Sequence, residues 1–358
     1  MPIVCVEDYE PLARERLPAP VWDYIEGGAG AELTLHANRA AFDRTSIRPR
    51  VLVDVSRCDT TTTVLGSTLR SPIIVAPTAF HAQVHPDAEP ATARGAAAAG
   101  SLLVASTLSS RPIEEISAAV DVPMWFQLYL LRDRGMVADM TARARSAGCR
   151  ALVLTVDTPR LGRRLRDERN SFAVAPGTQP RNLSADLAAA PSHRRGEGVS
   201  ALAATAADIF DQTITWSDLG WLRSLTDLPL LLKGVVTAAD AALAVEHGMD
   251  GIIVSNHGGR QLDGGIASLR ALPEVVGAVA GRCPVLVDGG VRRGRDVFIA
   301  LALGADAVLV GRPVLWGLAV GGADGVEHVL SMLTRDLEHT MALAGRPTVA
   351  DIGRDAVD

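Results

Sequence analysis

The densest chemistry in this chain lies in Ser255-Asn256-His257-Gly258-Gly259-Arg260-Gln261-Leu262-Asp263-Gly264-Gly265. A histidine leaves an apolar run, an arginine follows three residues on, and glycines between them free the backbone to turn. Imidazole takes a proton near neutral pH, and a neighbouring carboxylate raises its basicity and stabilises the imidazolium. Asp157, at the end of another apolar run, is a candidate for that carboxylate. A guanidinium such as Arg260 grips a substrate carboxylate at two points, which an ammonium does less well. The implied chemistry is proton abstraction from a small acid.

Two further signals accompany it. Of 35 basic residues, 34 are arginine and one is Lys233. A chain so biased keeps a lysine where a compact ammonium is specifically wanted. The runs Asp288-Gly289-Gly290-Val291-Arg292 and Gly311-Arg312 suggest a phosphate site. Glycine lets backbone amides approach a phosphate, while a helix N-terminus and arginine add positive potential.

Eight apolar runs must position these groups: Ile73–Ala79, Leu102–Leu108, Met124–Leu130, Ala151–Asp157, Leu228–Gly234, Gly251–His257, Pro284–Gly290 and Ala307–Pro313. Nearly all are continuous rather than alternating, as in strands buried on both faces. Helical stretches lie between them, and those from Asp133, Thr237 and Arg293 end at Gly148, Gly248 and Gly304. Eight strands alternating with helices predict an α/β fold, a (β/α)8 TIM barrel, whose active site forms at the carboxyl ends of the strands. Those ends carry Pro77, Thr78, Ala79, Ser106, Gln127, Tyr129, Thr155, Asp157, Lys233, Ser255, His257, Asp288 and Arg312, whereas the strand interiors are almost wholly apolar. Before the barrel, helices are expected over Val6–Leu17 and around Pro20–Gly28, then a short hairpin near Ile47–Ile73. A long excursion after the fourth strand holds residues 170–200, read as a mobile loop over the barrel top. The expectation is one domain over 1–358, with the barrel at about 73–345.

Composition narrows the function further. Aromatics are only 4% of the residues and the net charge is -6, with basic residues in pairs such as Arg163-Arg164 and never in longer runs. Nucleic acid is not an expected partner. Cys5, Cys58, Cys149 and Cys283 are scattered, so neither a disulfide framework nor a metal site is expected. No segment approaches the ~20 apolar residues of a membrane helix. With neither a secretory pattern near Met1–Asp8 nor a peroxisomal address at Arg354–Asp358, the expected location is the cytoplasm.

The stretch from Ser255 to Gly264, with Leu154-Thr155-Val156-Asp157-Thr158-Pro159 and Val287-Asp288-Gly289-Gly290-Val291-Arg292, resembles the FMN-dependent 2-hydroxy acid oxidase/dehydrogenase family. That group includes glycolate oxidase, lactate oxidase, mandelate dehydrogenase and hydroxymandelate oxidase, and the likeness runs from Trp22-Asp23-Tyr24 to Thr340-Met341-Ala342-Leu343. The resemblance implies FMN as cofactor and oxidation of a 2-hydroxy acid to a 2-oxo acid. Residues Pro77, Thr78, Ala79, Ser106, Gln127, Thr155 and Ser255 would then surround the isoalloxazine, with Lys233 facing its N1/O2 edge. Asp288, Gly289, Gly290, Arg292, Gly311 and Arg312 would hold the ribityl phosphate. Tyr24, Arg164 and Arg260 would bind the substrate carboxylate, Tyr129 its hydroxyl, and His257 with Asp157 would remove a proton.

Substrate and acceptor follow from the same likeness. Leu108 stands where glycolate oxidase has a tryptophan, which leaves room for a larger side chain. Phe80 would add an aromatic wall. The run Arg163–Asn170 is similar to that of hydroxymandelate oxidases, so an aryl (S)-substrate, mandelate or a hydroxymandelate, is favoured. Tyr24 is shared with glycolate oxidase, which keeps a glycolate- or lactate-type range open. Oxygen is the expected acceptor, giving hydrogen peroxide, with a dehydrogenase using another acceptor as the alternative. A homo-oligomer, tetramer or octamer, is the family's usual state.

Overall fold

The computed structural model describes residues 2–183, 206 and 208–358. A hairpin of β1 (Thr62–Val64) and β2 (Ser67–Leu69) precedes eight parallel strands. These are β3 (Ile73–Val75), β4 (Val104–Ala105), β5 (Trp125–Leu128), β6 (Leu152–Thr155), β7 (Leu230–Val235), β8 (Gly251–Val254), β9 (Val285–Asp288) and β10 (Ala307–Val310). Their order is β3-β10-β9-β8-β7-β6-β5-β4, and a parallel bridge between Val75 and Leu103 closes the ring. The fold is a (β/α)8 barrel. Each of the eight apolar runs coincides with one strand, β7 reaching one residue past its run at Val235.

Side-chain alternation divides the core in two. Ile74, Val104, Trp125, Val153, Leu231, Ile253, Leu286 and Leu309 form a cluster inside the barrel, and Val64 and Leu69 of the hairpin join it. Their neighbours Ile73, Val75, Phe126, Leu152, Leu154, Leu232, Ile252, Val287 and Val308 belong to the cluster shared with the helices. Because a strand repeats every two residues, the next inward positions are Ser106, Gln127, Thr155, Lys233, Ser255 and Asp288. The polar floor of the site is therefore the continuation of the apolar barrel interior, by one pleat.

Helices Arg134–Ser146, Ala238–Glu246 and Gly294–Ala302 are followed by Gly148, Gly248 and Gly304, each at positive φ. Only glycine adopts that conformation without strain, and it stops the helix cleanly. The N-terminal segment is a 3-10 turn (Val6–Asp8) running into helix Tyr9–Arg16, then helix Ala19–Glu26. A third helix, Leu33–Asp43, lies where sequence reasoning saw none. The last helix, Arg312–Ala344, breaks at Gly321-Gly322.

Of the expected mobile excursion, residues 184–200 lie outside the described residues. The part from 171 to 183 is pinned to the barrel top. Phe172 is buried, and Asn182 accepts from the Ile113 amide (2.9 Å) while donating to the Ser106 carbonyl (3.3 Å).

Candidate active site

The carboxyl ends of the strands surround a cavity lined by Tyr24, Pro77, Thr78, Ala79, Ser106, Leu108, Tyr129, Arg164, Lys233, His257, Arg260, Asp288, Gly289, Gly290, Arg292, Gly311 and Arg312. Seventeen positions proposed from sequence thus meet in one place. Ile25, Leu161, Ala206, Phe210 and Leu315 also line it and were not anticipated.

At one side stands the histidine. Its Nδ1 lies 2.9 Å from Asp157 Oδ1. A carboxylate can only accept, so Nδ1 carries the proton and Nε2 keeps a free lone pair. Burial lowers the His257 pKa, and the cations Lys233 and Arg164 push the same way, against the raising effect of Asp157. The imidazole is therefore neutral at pH 7, as a base must be. Burial would raise the Asp157 carboxyl, yet His257 and Lys233 outweigh it and hold its pKa below the usual value.

Backbone geometry holds this pair. His257 sits at φ 58°, uncommon for a residue with a side chain, and Gly258 and Gly259 follow at positive φ. Ser255 Oγ accepts the His257 amide at 3.0 Å, and Asn256 Oδ1 accepts that of Gly259 at 3.0 Å. Asn256 in turn exchanges two amide hydrogen bonds with Asn38 (2.9 and 2.8 Å), which lies on the unanticipated helix Leu33–Asp43. Gln261 Nε2 donates to the carbonyls of Asp157 (2.8 Å) and Arg160 (2.9 Å), joining the His257 loop to the Asp157 loop. Across from Asp157, β7 bulges at Gly234, where a Cβ would stand 2.6 Å from that of Asp157.

Lys233 is buried beneath the cavity. Its ammonium donates to Ser255 Oγ at 2.8 Å and pairs with Asp288 Oδ2 at 2.9 Å. Burial opposes its charge, but Asp288 and Asp157 more than offset this and raise its pKa. An ammonium has three N–H donors, so one remains for the cavity that Lys233 lines.

The opposite wall is cationic and aromatic. The guanidinium of Arg260 lies 4.9 Å from the Tyr24 ring centroid, and that of Arg164 5.7 Å. Tyr24 stacks on Phe172 at 4.3 Å, and Tyr129 on Phe210 at 4.5 Å. Burial, then Asp157 and Tyr24, raise the Tyr129 pKa, so its hydroxyl keeps its proton. Burial, reinforced by Arg260, pushes Arg164 down to about 10, and Arg164 Nε has no hydrogen-bond partner among the described residues. Arg260 Nη1 donates to the carbonyls of Tyr24 (2.6 Å) and Gly27 (2.9 Å).

At the β9–β10 side, Gly289 and Gly290 turn at φ 96° and 93°. A Cβ on Gly290 would stand 2.6 Å from the Asn38 carbonyl oxygen. Helix Gly294–Ala302 is already occupied at its start, since Asp296 Oδ2 accepts the amides of Arg292 and Arg293 (2.9 Å each). The long helix from Arg312 starts instead at Gly311 with no side-chain cap, and Gly311 lines the cavity. That is the helix start open to an anion. Arg312 donates to the carbonyls of Ile25, Gly27 and Gly258, and burial, with Arg260 and Arg292 nearby, pushes it down to about 9 despite Glu26. Buried, mutually repelling cations around one cavity call for anions to fill it.

Several expected residues sit one layer back. Gln127 and Thr155 are buried below the floor, where Gln127 Oε1 accepts from Ser106 Oγ (3.3 Å) and the Thr107 amide (3.2 Å), and Nε2 donates to Thr155 Oγ1 (3.1 Å). Ser255 lies beneath Lys233, and Asp157 behind His257. Phe80 is buried with its ring 6.1 Å from that of Tyr24 and does not line the cavity, where Phe210 joins Tyr24 and Tyr129 instead.

With this geometry in hand, similarity to known proteins becomes specific. Residues 13–358 match the model of the FMN-dependent dehydrogenase family. The chain belongs to that family. It is 51% identical over 349 residues to an L-lactate oxidase from Nostoc sp., covering 96% of this chain and 95% of that protein. With glycolate oxidase of Spinacia oleracea it shares 46% identity over 357 residues, covering 100% of this chain and 96% of the other. A crystal structure of mandelate oxidase with (S)-4-hydroxymandelic acid superposes with a TM-score of 0.94 at 45% identity, covering 99% of this chain and 98% of that one.

The cofactor of the family is FMN, and the cavity fits it. FMN carries a phosphate, and here Gly289, Gly290, the uncapped helix start at Gly311, Arg292 and Arg312 converge. Its ring bears polar edges, for which the spare N–H of Lys233 would be a donor. Asp288 lines the same cavity, and its buried Oδ1 has no hydrogen-bond partner among the described residues.

Proposed function

We propose that this FMN-dependent enzyme oxidises (S)-2-hydroxy acids to 2-oxo acids with oxygen as acceptor and hydrogen peroxide as product. We further propose an aryl substrate, mandelate or a hydroxymandelate. The observation that carries the reaction class is a neutral, buried His257 hydrogen-bonded to Asp157, facing Arg164 and Arg260 across one cavity.

Arg164 and Arg260 bind the carboxylate of the substrate, and Tyr24 supports both guanidiniums with its ring face. Tyr129, protonated, hydrogen-bonds the substrate hydroxyl. Nε2 of His257 accepts the proton, and Asp157 stabilises the imidazolium that results. FMN, when bound, supplies the two-electron acceptor. Lys233 keeps a fixed positive charge at the cavity, where it would stabilise negative charge on that group, with Asp288 and Ser255 orienting the ammonium. Phosphate recognition falls to Gly289, Gly290, Gly311, Arg292 and Arg312, while Pro77, Thr78, Ala79 and Ser106 line the ring's side of the cavity. Gln127, Thr155 and Ser255 buttress that floor from below.

The aryl preference rests on the apolar wall of Leu108, Leu161, Ala206 and Phe210, which offers contact area to a ring and no polar partner to a small substrate. A second reading, a lactate- or glycolate-type range, is favoured by the Phe210 ring stacked at 4.5 Å over Tyr129, which takes up part of that wall. Comparing kcat/KM for (S)-mandelate, (S)-lactate and glycolate decides between them. Mandelate at least tenfold ahead supports the aryl reading, and lactate ahead replaces it. Peroxide released in air-saturated buffer, one per 2-oxo acid formed, tests the acceptor, and turnover without peroxide refutes it.

No helix among the described residues is long and apolar enough to cross a membrane. We place the enzyme in the cytoplasm, a proposal supported by four free cysteines. A homo-oligomer is supported by the exposed apolar side chains Leu33 and Leu262, whose segments are joined by Thr34 Oγ1 donating to the Leu262 carbonyl. Light scattering of the holoenzyme tests the latter, and a monomer at micromolar concentration rejects it.

A further inference from the structure

Behind the cavity wall lies a polar cluster that the reaction does not use. Thr78, at the end of β3, lines the cavity, and its Oγ1 stands 2.6 Å from His81 Nε2. On the far side of the same ring, His81 Nδ1 stands 2.8 Å from Thr92 Oγ1, in helix Ala88–Ala98. The ring and Thr92 are fully buried. Glu89, also buried, fixes the surrounding backbone, because its Oε1 accepts the amides of His81 (3.1 Å) and Ser110 (2.7 Å). This cluster thus sits between two loops that bound the cofactor cavity.

The proton positions follow from counting donors and acceptors. Burial lowers the His81 pKa, outweighing Glu89 and the Thr78 carbonyl, so the ring is neutral and carries one N–H. Among the described residues, the Thr92 hydroxyl has one hydrogen-bond partner, His81 Nδ1. If Nδ1 carried the proton, the buried Thr92 O–H would have no acceptor, which costs on the order of 1–3 kcal/mol. Thr92 therefore donates to Nδ1, and the ring proton is on Nε2. That N–H donates to Thr78 Oγ1. The Thr78 proton has no acceptor among the described residues, and Thr78 lines the cavity.

We infer that His81 is a positioning residue, which with Thr92 commits the Thr78 hydroxyl to act as a hydrogen-bond donor toward the cofactor. Without that relay, the hydroxyl could rotate and present a lone pair instead, since a threonine oxygen can serve either way. The inference rests on FMN occupying this cavity, but its outcome is separable from the proposed substrate, because every readout below is made without one. The cofactor acceptor that receives the bond is a heteroatom of the ring system or its carbonyl edge.

Neutron diffraction from crystals of the holoenzyme reads the tautomer directly. Deuterium on Nε2 and on Thr78 Oγ1, the latter aimed at the cofactor, is the expected result, and deuterium on Nδ1 overturns the proposal. Variants supply an independent test through FMN release from the holoenzyme and the midpoint potential of the bound flavin. Thr78→Val and His81→Leu should each weaken FMN retention about fivefold, the loss of one hydrogen bond. In the double variant the effects should not add, because His81 acts through Thr78. His81→Gln should restore wild-type retention and potential, since its carbonyl accepts from Thr92 and its amide donates to Thr78. Additive losses, or a glutamine variant as impaired as the leucine one, would mean that His81 merely fills space.

Discussion

Two sides of one cavity are built by different means. At the carboxyl ends of β6 to β8, function rests on side chains held by side chains: Asp157 on His257, and Ser255, joined by Asp288 from the end of β9, on Lys233. At the ends of β9 and β10 it rests on backbone: Gly289 and Gly290 at positive φ, and a helix that begins without a side-chain cap. The first side controls where a proton sits, which requires titratable groups with tuned partners. The second offers room and positive potential, which suits a permanent anion whose charge never changes. Substitutions should accordingly alter rate on one side and cofactor retention on the other.

The sharpest way to break that division is Asp157→Asn. It keeps the shape yet removes the charge that stabilises the imidazolium, so kcat/KM should drop by about 10²–10⁴ while FMN stays bound. A loss of FMN instead would place Asp157 on the binding side. Arg312→Leu is the mirror experiment: FMN should dissociate roughly ten- to a hundredfold more readily, with kcat near wild type once FMN is saturating. Gly234→Ala probes the packing between the regions, because a Cβ at φ 110° meets Asp157. About tenfold loss of kcat is expected from the displaced carboxylate, on the scale of a modest misplacement, and unchanged kinetics would show that the bulge is dispensable. Leu108→Trp should lower the mandelate-to-glycolate ratio of kcat/KM by roughly tenfold or more; an unchanged ratio removes Leu108 from substrate choice. The smallest effect is on pH. Neutral His257 is the active form and burial lowers its pKa, so activity should be full at pH 7. It should fall only below the ordinary imidazole value of about 6.5. In Asp157→Asn that acid limb should move lower still, because the raising partner is gone.

Sequence reading reached the barrel because continuous apolar runs and glycine stops are local signals. It placed strands where they occur but made them long: in the run Leu102–Leu108 only Val104–Ala105 form a strand, with Leu103 bridged to Val75. From Ser106 on the chain leaves the sheet, and Ser106 and Thr107 engage Gln127 instead. Site residues at strand ends were legible for the same reason, since alternation continues from apolar interior to polar floor. What stayed hidden depends on partners distant along the chain. Helix Leu33–Asp43 follows a left-handed Glu32 that does not cap it, and its Thr34 amide is taken by Asp263, 229 residues away, so nothing local announced it. Its Asn38 matters through partners far along the chain, Asn256 218 residues away and Ser268 230 residues away. Phe172 and Phe210 flank the excursion after β6, and their stacking on Tyr24 and Tyr129 has no periodic signature. His81 and Thr92 could be seen only as a histidine in a loop and a threonine in a helix.

The central claim, that His257 is the base on a cofactor site it does not help to bind, is tested most directly with His257→Ala purified with its FMN. Under anaerobic (S)-2-hydroxy acid, the wild-type visible flavin band should bleach rapidly. The variant should hold the same FMN content and bleach about 10³–10⁴-fold more slowly. Bleaching at a near-normal rate would contradict the account, whichever substrate is used.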